Sequence, residues 1–191
     1  MSNNQDQIYI AKVLSGNTQA YTYLVETYKD YVFTIAVNIV KSREDAEDIA
    51  QDVFIKAFKQ LHTFKGDSKF STWLYTITFR TAISAIRKSK LEFNDTNDYV
   101  LNNYADDGLS SQLKLLQQAD QKYYVQEAIK KLPELDALVL TLYYLHENTT
   151  EEIETITGFN KSNIKVRMHR ARKKLAEALQ ELLPNEMASL H

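Results

Sequence analysis

The stretch that decides the fold is Thr150–Leu175, TEEIETITGFNKSNIKVRMHRARKKL. A short amphipathic segment in it ends at Gly158, the residue type that most often terminates a helix in the left-handed conformation. Asn160 then supplies an N-cap for a longer second helix. The apolar side chains of that helix recur at helical spacing, at Ile164, Met168, Ala171 and Leu175. A short helix and a longer helix joined by a glycine turn predict a helix-turn-helix.

The other faces of the second helix are basic. Residues 161–174 contain seven Lys or Arg and no Asp or Glu. A helix that packs through one apolar stripe and leaves cations outside has a natural polyanionic partner. A solvated basic face on an ordinary core helix is the alternative interpretation. The capped short helix and the turn glycine favour DNA binding over that alternative.

Upstream of this motif the sequence predicts two more helices. One runs from Asp120 to Leu132, and Pro133, suited to a first helical position, opens the next through about His146. Thr149 or Thr150 is expected to cap the short helix, and the long helix to continue to about Leu183.

The first half of the chain is also helical in pattern. Apolar residues keep helical spacing from Ala20 to Ile39, and Ser42-Arg43-Glu44-Asp45 resembles a capping box that opens a helix through about Leu61. A loop, HTFKGDSKF, follows, and Ser71 or Thr72 then starts a helix to about Lys90. With only four Gly and two Pro, few hairpin turns are available, so we expect an all-α fold.

The residues between these halves have a different composition. Residues 92–111, EFNDTNDYVLNNYADDGLSS, are rich in Asn, Asp and Ser and lack sustained helical spacing. The sequence therefore predicts two small helical domains, 1–91 and 119–191, joined by a flexible acidic linker, 92–118.

The net charge of −2 at first argues against a nucleic-acid binder, whose usual footprint is a basic excess. The charge is unevenly distributed, however. Residues 61–91 and 161–174 together hold 13 of the 23 basic residues and only one acidic residue, Asp67. The net charge therefore combines basic segments with acidic segments elsewhere in the chain, and it does not exclude DNA as a partner.

Several function classes find no support in the sequence. There is no cysteine for a disulfide or a thiolate metal site, no apolar run of membrane-spanning length and no signal-peptide pattern, so we expect a cytoplasmic protein without membrane insertion. No P-loop, GxGxxG, HExxH or GxSxG motif occurs, and the four His residues lack ligand spacing. We therefore expect no enzymatic activity, no cofactor, no metal site and no catalytic residue.

Two blocks of sequence resemble a known family. REDAEDIAQDVFIKAFKQL with FKGDSKFSTWLYTI is similar to parts of region 2 of bacterial sigma factors, and the segment from Pro133 to Leu175 resembles region 4. With only these two regions and a linker, the chain resembles the extracytoplasmic-function (ECF) subgroup of the sigma-70 family. The resemblance implies a protein that binds core RNA polymerase, directs it to promoter DNA and is held inactive by an anti-sigma factor.

The resemblance also implies roles for particular residues. Asp48, Gln51 and Asp52 match positions that dock on the largest polymerase subunit. Residues matching the segment that captures the minus-ten strand are Phe64, Lys65, Gly66, Asp67, Ser68, Lys69, Arg80, Arg87 and Lys88. Two of the family's usual residues are replaced in this segment, an Asn by Arg80 and an Asp by Ser84, so its base preference does not carry over.

In region 4 the resemblance implies contacts with the minus-thirty-five element. Positions that read bases fall on Lys165, Val166, His169 and Arg170. Expected phosphate contacts are Lys161, Ser162, Asn163, Arg167, Arg172 and Lys173. Glu154 and Thr157 stand where the family usually has Ala and Leu. The alternative function is a helix-turn-helix regulator that binds duplex DNA without polymerase, for which the acidic helix after Ser42 would have no use.

Overall fold

A computed structural model describes residues 4–90 and 118–182, with side chains described for 4–88 and 123–182. The described residues form eight α-helices and no strand, which confirms the all-α prediction. All of the predicted linker except Gln118 lies outside the described residues. The helices are α1 (Asn4–Leu14), α2 (Tyr21–Val40), α3 (Arg43–Gln60), α4 (Phe70–Lys90), α5 (Gln118–Lys130), α6 (Glu134–Tyr144), α7 (Thr150–Thr157) and α8 (Lys161–Leu182).

Helices α2, α3 and α4 form the N-terminal unit, and α1 packs across it. The predicted capping box at the start of α3 is confirmed in part: the Ser42 hydroxyl accepts the Asp45 N–H at 3.3 Å, but the reciprocal bond from the Ser42 N–H to the Asp45 side chain is not formed. Helix α1 was missed by the sequence pattern, which placed the first helix after residue 20. Its Ile10 and Val13 are buried, and the Tyr28 hydroxyl donates to the Asp6 carboxylate at 2.7 Å, so α1 is fixed by tertiary contacts.

Helices α5 to α8 form the C-terminal unit, and its local signals are confirmed. Thr149 and Glu152 make a complete capping box at the start of α7. Gly158 ends α7 with φ of 74°, and the Asn160 side chain accepts the Asn163 N–H at 2.8 Å. The four stripe residues of α8 are all buried. Pro133 is the N-cap of α6 rather than its first helical residue.

The two units pack against each other, an arrangement that the sequence did not predict. Helix α2 lies on α6, and α4 lies on α7. At the first contact the Asn38 amide donates to the Thr141 hydroxyl at 2.9 Å, with both side chains buried. At the second contact the Lys69 ammonium meets the Glu152 carboxylate at 2.7 Å. One apolar cluster contains buried residues of both units, and a second lies within the C-terminal unit between α5, α6 and α8.

His146 lies at this interface between the units. Its ring is 4.8 Å from that of Tyr31 on α2 and 5.2 Å from that of Tyr75 on α4, centroid to centroid. Its Nδ1 is buried and has no hydrogen-bond partner among the described residues. Burial lowers the pKa of His146 from 6.5 to about 4, because this aromatic setting does not solvate an imidazolium.

We expect acidification to destabilise this packed arrangement through His146. Because its pKa is lower in the folded than in the unfolded chain, its contribution is complete above pH 6.5 and is lost as the pH falls toward 4. Between pH 7 and pH 5 the loss should reach about 2 kcal/mol. Urea unfolding at both pH values should show this extra loss in the native chain relative to His146→Phe.

The phenylalanine variant keeps an aromatic ring between Tyr31 and Tyr75 and cannot be protonated. Carboxylates elsewhere titrate in both proteins, so the difference between them isolates His146. An equal loss of stability in both proteins would contradict the assignment.

Candidate nucleic-acid interface

The outward side of α8 holds some of the predicted DNA-contacting residues. Its buried stripe packs on α6, which leaves Ser162, Lys165 and Lys173 exposed. Neither lysine forms an ion pair with any described residue. These two side chains therefore offer free positive charge on one helix, as a phosphate-binding surface requires.

Two arginines of the same helix are placed differently. Arg167 and Arg170 both bind the carboxylate of Asp136, a residue in the first turn of α6 that is 1% exposed. Arg170 donates from Nε and Nη2 at 2.8 and 2.7 Å, and Arg167 donates from Nη1 at 3.0 Å. The sequence alone does not single out Asp136, because an acid in a first helical turn has an ordinary local explanation in the helix dipole.

The remaining predicted residues of α8 have partners of their own. The Lys161 ammonium pairs with Glu151 at 2.9 Å, and that hydrogen bond holds the pKa of Glu151 below its ordinary value. Arg172 donates to the Tyr144 hydroxyl at 2.9 Å. Asn163 is exposed, whereas Val166 and His169 are half-buried. The ten predicted residues therefore share one helix but differ in how much of each side chain is available.

The loop before α4 combines cations with an aromatic cluster. Phe64 lies 5.6 Å from Phe70 and 5.5 Å from Trp73, between ring centroids. Phe70 is buried, whereas Phe64 and Trp73 are half-buried. The predicted capturing residues 65–68 are exposed beside this cluster, and Gly66 turns the loop with φ of 81°.

Cations flank the loop and continue along α4. Arg80, Arg87 and Lys88 are exposed. Lys69 instead pairs with Glu152, the capping residue of α7. Burial opposes ionisation of Glu152, but hydrogen bonds from Lys69, the Thr149 N–H and Asn148 outweigh it, so the pKa of Glu152 lies below its ordinary value. Glu152 therefore covers one cation of the predicted minus-ten surface.

The predicted docking residues occupy one side of α3. Asp48, Gln51 and Asp52 are exposed, and Asp52 pairs with Lys56 one turn later at 2.7 Å. Asp48 lies at the rim of an open groove of about 620 Å³ between α2, α3, α4 and α6. An acidic rim beside an apolar groove is suited to a protein partner with a basic surface.

Metal sites and membrane-spanning helices are both absent from the described ranges. Residues 4–90 and 118–182 bring together no group of three or more His, Asp or Glu side chains with the arrangement of a metal site. In the same ranges, no helix combines the length and apolarity needed to span a bilayer.

Two family models match the chain, in the order of its two units. The model for sigma-70 region 2 matches residues 24–92, and the model for sigma-70 region 4 matches residues 122–175. The first match contains α3 and the minus-ten loop, and the second contains the helix-turn-helix. The region 2 match is not expected of a duplex-binding regulator that acts without polymerase.

Two relatives match over nearly their whole length. The ECF RNA polymerase sigma factor SigW of Bacillus subtilis is 31% identical over 180 residues, covering 91% of this chain and 96% of that protein. The RNA polymerase sigma-H factor of Pseudomonas aeruginosa is 30% identical over 189 residues, covering 96% of this chain and 98% of that protein.

Solved structures share the fold. CnrH in complex with the cytosolic domain of CnrY gives a TM-score of 0.61 at 23% identity, covering 92% of this chain and 97% of that one. The sigma factor RpoE of Bartonella quintana, in complex with the anti-sigma factor NepR, gives 0.62 at 21% identity, covering 84% and 96%.

Proposed function

Because this chain belongs to the ECF subgroup of the sigma-70 family of RNA polymerase sigma factors, we propose that its two units divide the work of promoter recognition. Residues 1–91 bind core polymerase and the minus-ten strand, residues 119–191 read the minus-thirty-five element, and 92–118 link them. The observation that carries the proposal is the ordered match of both sigma regions to these units.

Core docking is assigned to α3. Its exposed residues Asp48, Gln51 and Asp52 present acidic and amide groups over about one turn, with Asp48 and Asp52 on one face because they are four residues apart. A basic polymerase surface is the complementary partner. The partly covered carboxylate of Asp52 can exchange its Lys56 contact for an intermolecular one, since exposed ion pairs are weak.

Minus-ten recognition is assigned to the loop 64–69 and the cations of α4. Single-stranded recognition requires positive charge along the backbone and an apolar surface that replaces lost base stacking. The half-buried rings of Phe64 and Trp73 beside an exposed loop provide the apolar surface. The positive charge comes from Arg80, Arg87 and Lys88.

Simultaneous reading of both elements requires the units to separate. The minus-ten and minus-thirty-five elements lie about 25 base pairs apart, or roughly 85 Å of duplex at about 3.4 Å per base pair. In the packed arrangement α4 touches α7, the helix that precedes the DNA-reading helix. The contacts between α2 and α6 and between α4 and α7 are therefore released on the promoter.

The partners follow from the same assignment. Core RNA polymerase and promoter DNA are the working partners, in the cytoplasm, and the chain itself contributes binding rather than catalysis. An anti-sigma factor is a third partner; the similar RpoE chain of Bartonella quintana is seen bound to one. Such a protein would act by keeping α3 or the DNA-binding faces covered.

Run-off transcription with purified core polymerase and a genomic promoter library tests the function. We expect promoter-specific initiation that depends on this chain. Asp48→Arg combined with Asp52→Arg should weaken core binding at least tenfold, because two attractive charges become repulsive. The matched control is Glu26→Arg with Asp30→Arg, an exposed acidic pair at the same spacing on α2.

Failure to bind core and to initiate at any promoter would refute the sigma assignment. Duplex binding without core would instead support the regulator. Equal loss of core binding in the α2 and α3 charge-reversal variants would place the docking surface elsewhere.

A disulfide between the units should block initiation reversibly. Asn38 and Thr141 touch through their side chains at 2.9 Å, and the chain has no cysteine of its own, so Asn38→Cys with Thr141→Cys can form only this intramolecular bond. We expect the oxidised protein to lose at least tenfold in run-off activity and to recover on reduction. Asn38→Cys alone is the control, and full activity of the cross-linked protein would show that the units need not separate.

A further inference from the structure

We infer that Asp136 is a positioning residue of the DNA-reading surface: it withholds Arg167 from DNA and holds the guanidinium of Arg170 in one orientation. The inference rests on the proposed function, because it concerns how the C-terminal unit reads DNA. It changes which residues of α8 supply the positive charge. Sequence and family resemblance had assigned both arginines to DNA alike.

The carboxylate of Asp136 is bound on both oxygens. Its Oδ2 accepts Arg170 Nε, while its Oδ1 accepts Arg170 Nη2 and Arg167 Nη1, at 2.7 to 3.0 Å. The residue is 1% exposed, and burying a carboxylate at that depth is costly unless it is paired and hydrogen-bonded. Its position in the first turn of α6 adds the favourable end of the helix dipole.

Arg167 is held on three sides. Besides Asp136, it donates from Nε to the Asn163 side chain at 2.7 Å. Its guanidinium lies 4.8 Å from the ring centroid of Phe159. The side chain is only 19% exposed. Asn163 and Asp136 take Nε and Nη1, which leaves Nη2 as the nitrogen of Arg167 without a hydrogen bond among the described residues. Because the side chain is only 19% exposed, extending it to a phosphate would break these contacts and leave Asp136 with one partner fewer, so we expect Arg167 to contribute no phosphate contact.

Arg170 is held on one edge only. Its Nε and Nη2 are used by Asp136, whereas Nη1 and the second hydrogen of Nη2 are not used in this bidentate contact. The side chain is 36% exposed. Arg170 can therefore donate to DNA from a fixed orientation, and a guanidinium fixed in advance loses less conformational entropy on binding.

Lys165 makes a matched comparison for Arg167. It lies two residues earlier on the same helix, is exposed and forms no ion pair with any described residue. Each cation that contacts a phosphate contributes about one unit to the slope of log affinity against log salt. The inference therefore predicts a contribution from Lys165 and none from Arg167, although both are cations near the start of α8.

The test measures the salt dependence of promoter binding by holoenzyme reconstituted from the full chain and core polymerase. The DNA is the strongest promoter recovered from the run-off library. We expect Lys165→Ala to flatten the slope by about one unit and Arg167→Gln to leave it unchanged. Asp136→Asn should steepen the slope by about one unit, because it releases Arg167. Adding Arg167→Gln to Asp136→Asn should restore the native slope.

The outcomes separate the two proposals. If Arg167→Gln flattens the slope as much as Lys165→Ala does, or if Asp136→Asn folds and leaves the slope unchanged, the inference is wrong and Asp136 is only structural. If Asp136→Asn does not fold, the two single variants at native Asp136 still decide between these results. If the native holoenzyme shows no promoter-specific binding, the proposed function fails instead.

Discussion

The middle turns of helix α6 are buried on every side. The rest of the structure depends on how the polar side chains in these turns find hydrogen-bond partners. Residues 136–142 are all buried, because α8 covers one face of α6 and α2 covers another. The helix carries two buried polar side chains in this stretch, Asp136 and Thr141. Asp136 lies at the interface with α8, and Thr141 lies at the interface with α2.

The two interfaces differ in the kind of hydrogen bond they contain. Asp136 binds arginines of its own unit through charge-assisted bonds, which are roughly twice as strong as neutral ones. Thr141 binds Asn38 of the other unit through a neutral bond. The polar contact of α6 within the C-terminal unit is thus stronger than its polar contact with α2. Charged contacts also cross between the units, from Lys69 to Glu152 and from Lys41 to the carbonyl of Leu132, and both lysines are partly exposed. Partly exposed ion pairs contribute little, which fits a molecule whose units stay intact while they separate.

Pairing between cations and carboxylates also explains why the net charge of the chain is a poor measure of the positive charge available to DNA. Acidic residues of the C-terminal unit neutralise selected cations: Glu151 pairs with Lys161, Glu152 with Lys69 and Asp136 with two arginines. Lys165 and Lys173 are exposed and have no such partner among the described residues. The net charge of −2 is therefore compatible with a DNA-binding face that is small and defined.

Local features of the fold could be predicted from the sequence, whereas features that depend on distant partners could not. The caps at Ser42, Thr149 and Asn160 and the turn at Gly158 rest on neighbouring residues, and all four are confirmed. Helix α1 was missed because few of its side chains are buried and those few need α2 as a partner.

The same distinction holds for the candidate site. The exposure of Lys165 follows from the apolar stripe of its own helix, so the sequence could predict it. The availability of Arg167 is set by Asp136, which is 31 residues away in the chain. Likewise, Asn38 and Thr141 are ordinary polar residues until their burial against each other is known, and 103 residues separate them.

Packing of the units has a thermodynamic consequence for promoter binding. If only separated units can engage both promoter elements, the apparent affinity falls by the fraction of molecules that are open. Each tenfold preference for the packed arrangement then weakens binding tenfold, or about 1.4 kcal/mol. The buried Nδ1 of His146, which has no hydrogen-bond partner among the described residues, and the neutral bond between Asn38 and Thr141 limit that preference, whereas the shared apolar core and the pair of Lys69 and Glu152 add to it. An interface of this composition keeps the DNA-binding faces together in the free chain while leaving the opening energy within reach of what polymerase and promoter contacts supply.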